Sequence, residues 1–140
     1  MSASTRFSVA VHLLCALAWL GEEGATSEGL AESVNTNPVV LRRVLGQLAE
    51  AGLVEGQPGR RGGYTLGRRP QRISLRDVYR ALGESGPLAL HAHPENPACP
   101  VSCGIKPLLS AVLERADRAL EDELARTRIA DLVGRMTARS

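Results

Sequence analysis

The stretch that decides the fold runs from residue 37 to residue 66 and reads NPVVLRRVLGQLAEAGLVEGQPGRRGGYTL. Asn37 followed by Pro38 is a strong start signal for a helix, because asparagine caps the first turn and proline fits the first helical position. Apolar residues then recur with helical spacing as far as Gly52, which predicts the end of that helix. The pieces LVEG and GYTL predict two short strands, and the residues between them have the composition of a hairpin tip.

A second, shorter helix is predicted directly before this one. Thr26 or Ser27 can cap it, Leu30 lies on its apolar face, and the run NTN at residues 35–37 is typical of a turn. Two short helices joined by a tight turn form a helix-turn-helix, and a β-hairpin that follows directly makes it a winged helix. The predicted fold class is therefore mainly α with a small β-hairpin wing.

The first and last helices carry more apolar surface than a domain this small can cover. The first, FSVAVHLLCALAWL at residues 7–20, has apolar residues on two faces, and Cys15 lies on the second of them. A long helix predicted from about Gly104 to Arg126 keeps one apolar face over roughly 30 Å. These faces predict a twofold homodimer, in which a second copy covers the long helix and the second face of the first helix packs beside it. The tail is expected to form one short helix and a frayed end.

Positive charge is concentrated in the middle of the chain, although the net charge is only +2. Residues 36–80 carry nine basic and three acidic groups, which gives +6, whereas residues 1–35 sum to −3 and residues 81–140 to −1. A basic block between acidic flanks is typical of a surface that binds a polyanion such as DNA. A solvated basic face is the alternative interpretation.

Four motifs, in this order and spacing, resemble the Rrf2 family of bacterial winged-helix transcription regulators: FSVAVHLLCALA, LRRVLGQLAEAGLV, PGRRGGYTL and ISLRDVYRAL. The similarity covers nearly the whole chain, and it implies a homodimer that binds a palindromic DNA operator. The best-known members of the family hold an iron–sulfur cluster through three cysteines in the loop before the long helix. This loop offers only Cys99 and Cys103. The chain is therefore more similar to the cluster-free branch, some members of which sense thiol oxidants and carry a single cysteine in a CPV motif.

Candidate DNA contacts lie on the helix-turn-helix and on the wing. Arg42 sits about one turn into the second helix, where a side chain can reach a base edge in the major groove, and Arg43 can contact a base or a phosphate. Arg60 and Arg61 at the hairpin tip suit a narrow minor groove, since neighbouring glycines let the backbone come close. Solvated surface arginines are the alternative in both places. The full set of candidates, which includes phosphate contacts at the turn and the helix starts, is Ser27, Asn35, Thr36, Asn37, Arg42, Arg43, Gln47, Arg60 and Arg61.

The proline-rich stretch HAHPENPACPVSCG, residues 91–104, is the candidate sensor. A zinc site needs four ligands, and the spacing of the histidines and cysteines in this stretch matches no common zinc finger. An iron–sulfur cluster needs about four ligands, usually thiolates, and the stretch has two cysteines. No metal or other cofactor is therefore predicted, although a cluster, a zinc ion and an inert connector are the alternatives.

Cys99 is predicted to be a redox-responsive thiol. It lies just ahead of the long helix, whose amino-terminal dipole favours an anion such as the thiolate that oxidants attack. Cys103 is four residues further on, but a helical turn usually holds such a pair too far apart for an unstrained disulfide. Cys15 of a second copy is the other candidate partner thiol, and an ordinary buried role for Cys15 is the alternative.

The chain is accordingly predicted to be a cytoplasmic DNA-binding transcription regulator, and more specifically a repressor, that forms a homodimer on a double-stranded operator. Residues 1–83 are assigned to the DNA-binding unit, residues 84–104 to the sensor loop, and residues 105–140 to the dimerisation helix and tail. No stretch predicts a membrane span, and nothing marks the chain for secretion. An enzyme is not predicted, because no nucleophile–base pair, paired carboxylates or phosphate-binding loop is visible. The alternatives are a winged-helix module for protein assembly and a metal-sensing regulator of the same fold.

Overall fold

Helices make up most of the computed structural model, which describes residues 5–57, 62–83 and 86–138. The helices are α1 (Thr5–Leu20), α2 (Ser27–Val34), α3 (Pro38–Glu50), α4 (Leu75–Ala81), α5 (Pro100–Leu124) and α6 (Ile129–Ala138). The strands β1 (Val54–Gly56) and β2 (Tyr64–Leu66) pair antiparallel, with Glu55 opposite Thr65. The predicted fold class, mainly α with a β-hairpin wing and a long C-terminal helix, is confirmed.

Side-chain caps fix the two helices of the helix-turn-helix. Thr26 Oγ1 accepts a hydrogen bond from the Gly29 amide at 3.1 Å, so that Thr26 and not Ser27 caps α2. Asn35 closes α2 in the left-handed region with a φ of 60°, which asparagine tolerates better than most residues. Asn37 Oδ1 then accepts from the Val39 amide at 2.8 Å and starts α3. The turn between the helices is therefore set by local hydrogen bonds.

One aliphatic core lies beneath these helices. Helix α1 runs through it and contacts α2, α3, α4, α6 and β2. Aromatic residues are only 3% of the chain, so branched aliphatic side chains fill the interior. The largest fully buried side chains include Leu13, Leu14, Leu17, Leu30, Leu41, Leu45, Leu48, Leu53, Ile73 and Ile129.

Helix α6 packs back onto the helix-turn-helix unit rather than extending from it. Its first residue, Ile129, is fully buried, and α6 contacts α1 and the short 3-10 turn Pro70–Arg72. Two backbone hydrogen bonds close this junction, from the Leu75 amide to the Thr127 carbonyl and from the Ile129 amide to the Ile73 carbonyl, both 2.9 Å long. The short helix expected in the tail is present, and its amino-terminal end belongs to the core.

Helix α5 begins at Pro100, four residues before the start near Gly104 that the sequence predicted. The reason is an unusual cap, because Cys99 Sγ accepts from the Ser102 amide at 3.4 Å and the Cys99 carbonyl accepts from the Cys103 amide at 3.1 Å. Both loop cysteines therefore belong to the start of the helix. None of the described helices is long and apolar enough to cross a membrane.

The carboxy-terminal half of α5 is attached to α4, whereas its amino-terminal half projects. Tyr79 Oη donates to Asp117 Oδ1 at 3.0 Å, and Arg80 Nε donates to Glu121 Oε1 at 2.6 Å. Nearer the start of the helix, Leu108 keeps 71% of its surface exposed. Along this fully described helix no residue is buried within the single chain.

Candidate nucleic-acid interface and sensor loop

Helix α3 presents an exposed face opposite the one that it buries. The residues that it buries are Leu41, Val44, Leu45 and Leu48. At about 100° per residue, the opposite line of the helix runs through Val39, Arg43 and Gly46, with Arg42 beside it. All four are exposed, and neither arginine has an ion-pair partner among the described residues. A solvent-facing helix with two unpaired cations is the arrangement that enters a DNA groove in helix-turn-helix proteins.

Gln47 does not belong to this exposed face, although the sequence grouped it with Arg42 and Arg43. Its side-chain amide donates to the Leu82 carbonyl at 3.1 Å, and its Oε1 accepts from the Arg6 guanidinium. The placement predicted for Gln47 is therefore corrected. Its side chain ties α3 to the end of α4 and to α1, because these elements pack along the side of α3 on which Gln47 lies.

The residues predicted to contact phosphates lie at the start of α2 and in the turn before α3. Asn35 and Asn37 are exposed, whereas Thr36 and Ser27 are half-buried. Asn37 uses its side-chain oxygen as the cap of α3, and Ser27 Oγ donates to Glu28 Oε2 at 3.3 Å. Their hydrogen bonds within the chain fix the turn, and contact with DNA stays a prediction for all four.

The wing is anchored at its base, while its tip lies outside the described residues. Arg60 and Arg61 both fall in that tip, so the structure gives no position for these predicted contacts. At the base, the Tyr64 amide donates to the Ala25 carbonyl at 2.7 Å and the Ala25 amide donates to the Tyr64 carbonyl at 3.0 Å. A Cβ on Gly63 would lie 2.7 Å from the Ala25 carbonyl oxygen, so only glycine permits this approach. The hairpin is thereby fixed beside the start of α2.

The basic block seen in the sequence does not form a single unpaired surface. Arg68 lies 3.8 Å from the Asp77 carboxylate, and Arg80 is paired with Glu121. These two arginines are balanced by neighbouring carboxylates, whereas Arg42 and Arg43 are not. In the described part of the basic block, the arginines without an ion-pair partner are Arg42 and Arg43 on α3 and Arg69, Arg72 and Arg76 around the 3-10 turn and the start of α4.

The two loop cysteines are organised around Asn96. The Asn96 carbonyl accepts from the Cys99 amide at 2.9 Å and from Cys103 Sγ at 3.5 Å. The Asn96 amide donates to Ser102 Oγ at 2.8 Å. Cys99 is half-buried and Cys103 is exposed. The sequence predicted that these two cysteines lie near each other. Nothing in it indicated that Asn96 is hydrogen-bonded to both.

Cys15 lies in the core and not on an outward face of α1, which corrects the sequence-based placement. Its residue surface is 6% exposed, and burial raises the pKa of its thiol. A buried thiol that favours the protonated form is a poor nucleophile. Cys15 is therefore not placed to pair with a loop cysteine while the domain stays folded.

The histidines of the loop lie near each other but not in a metal-binding group. The ring centroids of His91 and His93 are 5.1 Å apart, and the His93 carbonyl accepts from Lys106 Nζ at 2.7 Å. Within the described residues, no three side chains of His, Cys, Asp or Glu are arranged to hold a metal ion.

Comparison with known proteins places this geometry among bacterial transcription regulators. A family model described as Rrf2, iron-dependent transcriptional regulator, matches residues 3–135. YwnA of Bacillus subtilis, which is named as an HTH-type transcriptional regulator, is 38% identical over 134 residues. The matched part covers 95% of this chain and 98% of YwnA.

Solved structures show the same arrangement. A crystal structure described as a DNA-binding protein superposes with a TM-score of 0.75 at 36% identity, covering 91% of this chain and 98% of the other. CymR, titled the global cysteine regulator of Bacillus subtilis, superposes with a TM-score of 0.67 at 26% identity, covering 96% and 97% of the two chains.

Proposed function

Because the chain belongs to the Rrf2 family of DNA-binding transcription regulators, which are not enzymes, we propose that it is a homodimeric repressor of an inverted-repeat operator. The observation that carries DNA reading is the exposed face of α3, where Arg42 and Arg43 stand unpaired among the described residues. A guanidinium there can donate two hydrogen bonds to a guanine edge. The site of action is then the cytoplasm, where a bacterial chromosome lies.

The dimer is supported by an apolar strip on α5 that the described part of the chain leaves exposed. The strip consists of Val101, Ile105, Leu108, Leu109 and Val112, which are all exposed. Their spacing of three and four residues places them on one side of the helix, away from the side that carries Asp117 and Glu121. Such spacing is typical of helices that pair with each other. A second copy is the occupant that we propose, since a twofold axis lets one strip cover its equivalent.

An inverted repeat follows from the twofold axis, because each copy presents one α3 to one half-site. The half-sites are expected about 10 base pairs apart, centre to centre, or a multiple of that spacing. Selection from random duplexes tests the proposal, and the selected sequence should be bound with an affinity that falls steeply as salt rises. Binding of all sequences alike would contradict it.

A bound dimer obstructs polymerase at a promoter. In vitro transcription from such a promoter should therefore fall when the protein is added, whereas a rise would contradict repression.

Control by oxidation is supported by the position of Cys99 at the start of α5. With hydrogen peroxide, the Cys99 thiolate attacks one oxygen, the O–O bond breaks, and a sulfenic acid forms while the other oxygen takes up a proton and leaves as water. The Cys103 thiol can then attack the sulfenic sulfur, which releases water and forms a disulfide. Cys99 caps α5 through its Sγ, and Cys103 lies in the first turn of the helix. A bond between the two sulfurs therefore takes Sγ of Cys99 away from the Ser102 amide and opens the first turn of α5.

A continuous set of contacts connects that turn to the DNA-reading helix. Helix α5 holds α4 through Asp117 and Glu121, and the end of α4 holds α3 through the hydrogen bond from Gln47 to the Leu82 carbonyl. A change in the direction of α5 therefore reaches the recognition helix through two packed elements. The similarity to CymR of Staphylococcus aureus, for which an oxidised form has been solved, favours the same kind of signal.

A peroxide pulse is expected to change operator affinity by about 5- to 150-fold, the usual range for coupling between two sites. Cys99→Ser should bind the operator and lose the response, because the attacking sulfur is gone. Cys15→Ser is the matched control and should respond as wild type does, since Cys15 lies in the core. Fluorescence anisotropy before and after the pulse, with recovery by dithiothreitol, measures the effect. An unchanged response in Cys99→Ser contradicts the assignment.

A resident metal is not part of the proposal, although the matching family model is described as iron-dependent. A cluster takes about four ligands, usually thiolates. One chain offers only Cys99 and Cys103 in the loop, while Cys15 is buried in the core. The donor set of one chain therefore does not fit a cluster. Stoichiometric iron and sulfide in protein purified without oxygen would contradict this part.

A further inference from the structure

The exposed line of α3, which runs through Val39, Arg43 and Gly46, also carries an apolar side chain at its start. Val39 leaves 61% of its surface exposed at the first turn of the helix. Arg43 follows about one turn later and Gly46 about two turns later on the same line. The line from Val39 to Gly46 is about 10 Å long, at about 1.5 Å per residue. That length corresponds to about three base-pair steps.

The described residues leave most of the Val39 side chain uncovered. Its amide is bonded to the Asn37 cap, which fixes the backbone of the first turn. The apolar group that the bases expose in the major groove is the C5 methyl of thymine. Of the four bases, only thymine carries a methyl group there.

Gly46 supports a close approach of the same line to DNA. Glycine is a poor helix former in the middle of a helix, and a Cβ added at Gly46 would meet nothing within 4 Å inside the protein. Internal packing therefore does not require glycine at this position. Because Gly46 has no side chain, the surface of α3 is lower between Arg43 and the end of the helix. The helix can therefore lie deeper in the groove.

We infer that Val39 reads a thymine methyl group in each half-site, next to the base pair contacted by the arginines of α3. The inference rests on the proposed DNA-binding function and adds the base that the valine selects. It assigns to α3 two kinds of reading, an apolar contact at its start and charged hydrogen bonds one turn later. The half-site should therefore contain an A·T pair within about three base pairs of the pair read by arginine.

Replacing thymine by uracil in the selected operator removes only the methyl group and isolates this contact. At one thymine position in a single half-site, uracil should weaken wild-type binding about four-fold, the effect of exposing one buried methyl group, and at that position in both half-sites about 15-fold. Val39→Ala should bind the thymine and uracil duplexes equally at that position, as a double-mutant cycle requires of two groups that touch. Val40→Ala is the matched control, since Val40 points about 100° away on the same helix, and it should keep the four-fold difference.

The outcomes separate this inference from the function on which it rests. Failure to select any preferred sequence contradicts the proposed function itself. A selected operator in which Val39→Ala keeps the full thymine–uracil difference contradicts only the role of Val39. The same holds if no thymine position is sensitive to its methyl group, or if Val40→Ala and not Val39→Ala abolishes the difference. Val39→Ala should fold as wild type does, because the side chain is exposed and its amide still meets the Asn37 cap.

Discussion

Replacing Leu108 by glutamate is expected to produce a folded monomer that no longer binds the operator tightly. Leu108 is the most exposed leucine of the apolar strip on α5, at 71%, so the protomer does not depend on it for folding. In the proposed dimer each copy buries one such leucine, at about 1.5–3 kcal/mol per side chain. Without these two leucines the dimer dissociation constant should rise by about 10²–10⁴, even before the cost of burying two carboxylates.

Light scattering coupled to size exclusion measures this change, and far-UV circular dichroism checks that the fold is retained. Ala111→Glu is the matched control. Ala111 is exposed on the same helix, but it lies about 100° or more from the centre of the strip, so the added charge stays in water. This variant should remain a dimer. A Leu108→Glu protein that stays dimeric at micromolar concentration would place the dimer interface elsewhere.

The secondary structure was predictable wherever local chemistry sets it. Asn37 and Pro38 start α3 as their cap and first-turn preferences require, and Ser74 starts α4 in a reciprocal capping box with Asp77. The glycine pair before Tyr64 marks the base of the wing, where Gly63 alone permits the approach to Ala25. Each of these signals lies within a few residues of the structure that it determines.

The positions that sequence reasoning misplaced depend on contacts between distant residues. Helix α1 is apolar around most of its surface, so periodicity alone could not tell whether the row containing Cys15 faces the core or a second copy. Gln47 is polar, yet the Leu82 carbonyl 35 residues away draws its side chain inward. Ile129 enters the core because its amide pairs with the Ile73 carbonyl. The early start of α5 is a local exception, because its cap is a cysteine, which lies outside the usual set of capping residues.

Arg42→Ala is expected to weaken operator binding by about 1–3 kcal/mol per half-site and to relax the choice of one base pair. The reason is that a bidentate guanidinium–guanine contact depends on the base, and alanine cannot replace it. Arg43 lies on the outermost line of α3 and can contact a base or a phosphate. If it contacts phosphate, Arg43→Ala should weaken all sequences about equally. The slope of log K against log salt should then become shallower by about 0.9 for each phosphate that the protein no longer neutralises.

Titrating each variant protein against a panel of single base-pair operator variants, at several salt concentrations, distinguishes the roles of the two arginines. Arg118→Ala is the matched control, because it removes the same charge from an exposed position on α5, away from α3 and about 120° from the centre of the apolar strip. It should leave the base preference unchanged and should not alter the salt slope by the amount expected for one phosphate. If Arg42→Ala ranks every operator variant as wild type does, Arg42 does not read a base. If Arg42→Ala and Arg43→Ala both relax one base pair and leave the salt slope unchanged, then both arginines read bases. The phosphate contacts then belong to the turn at residues 35–37 and to the predicted wing residues Arg60 and Arg61.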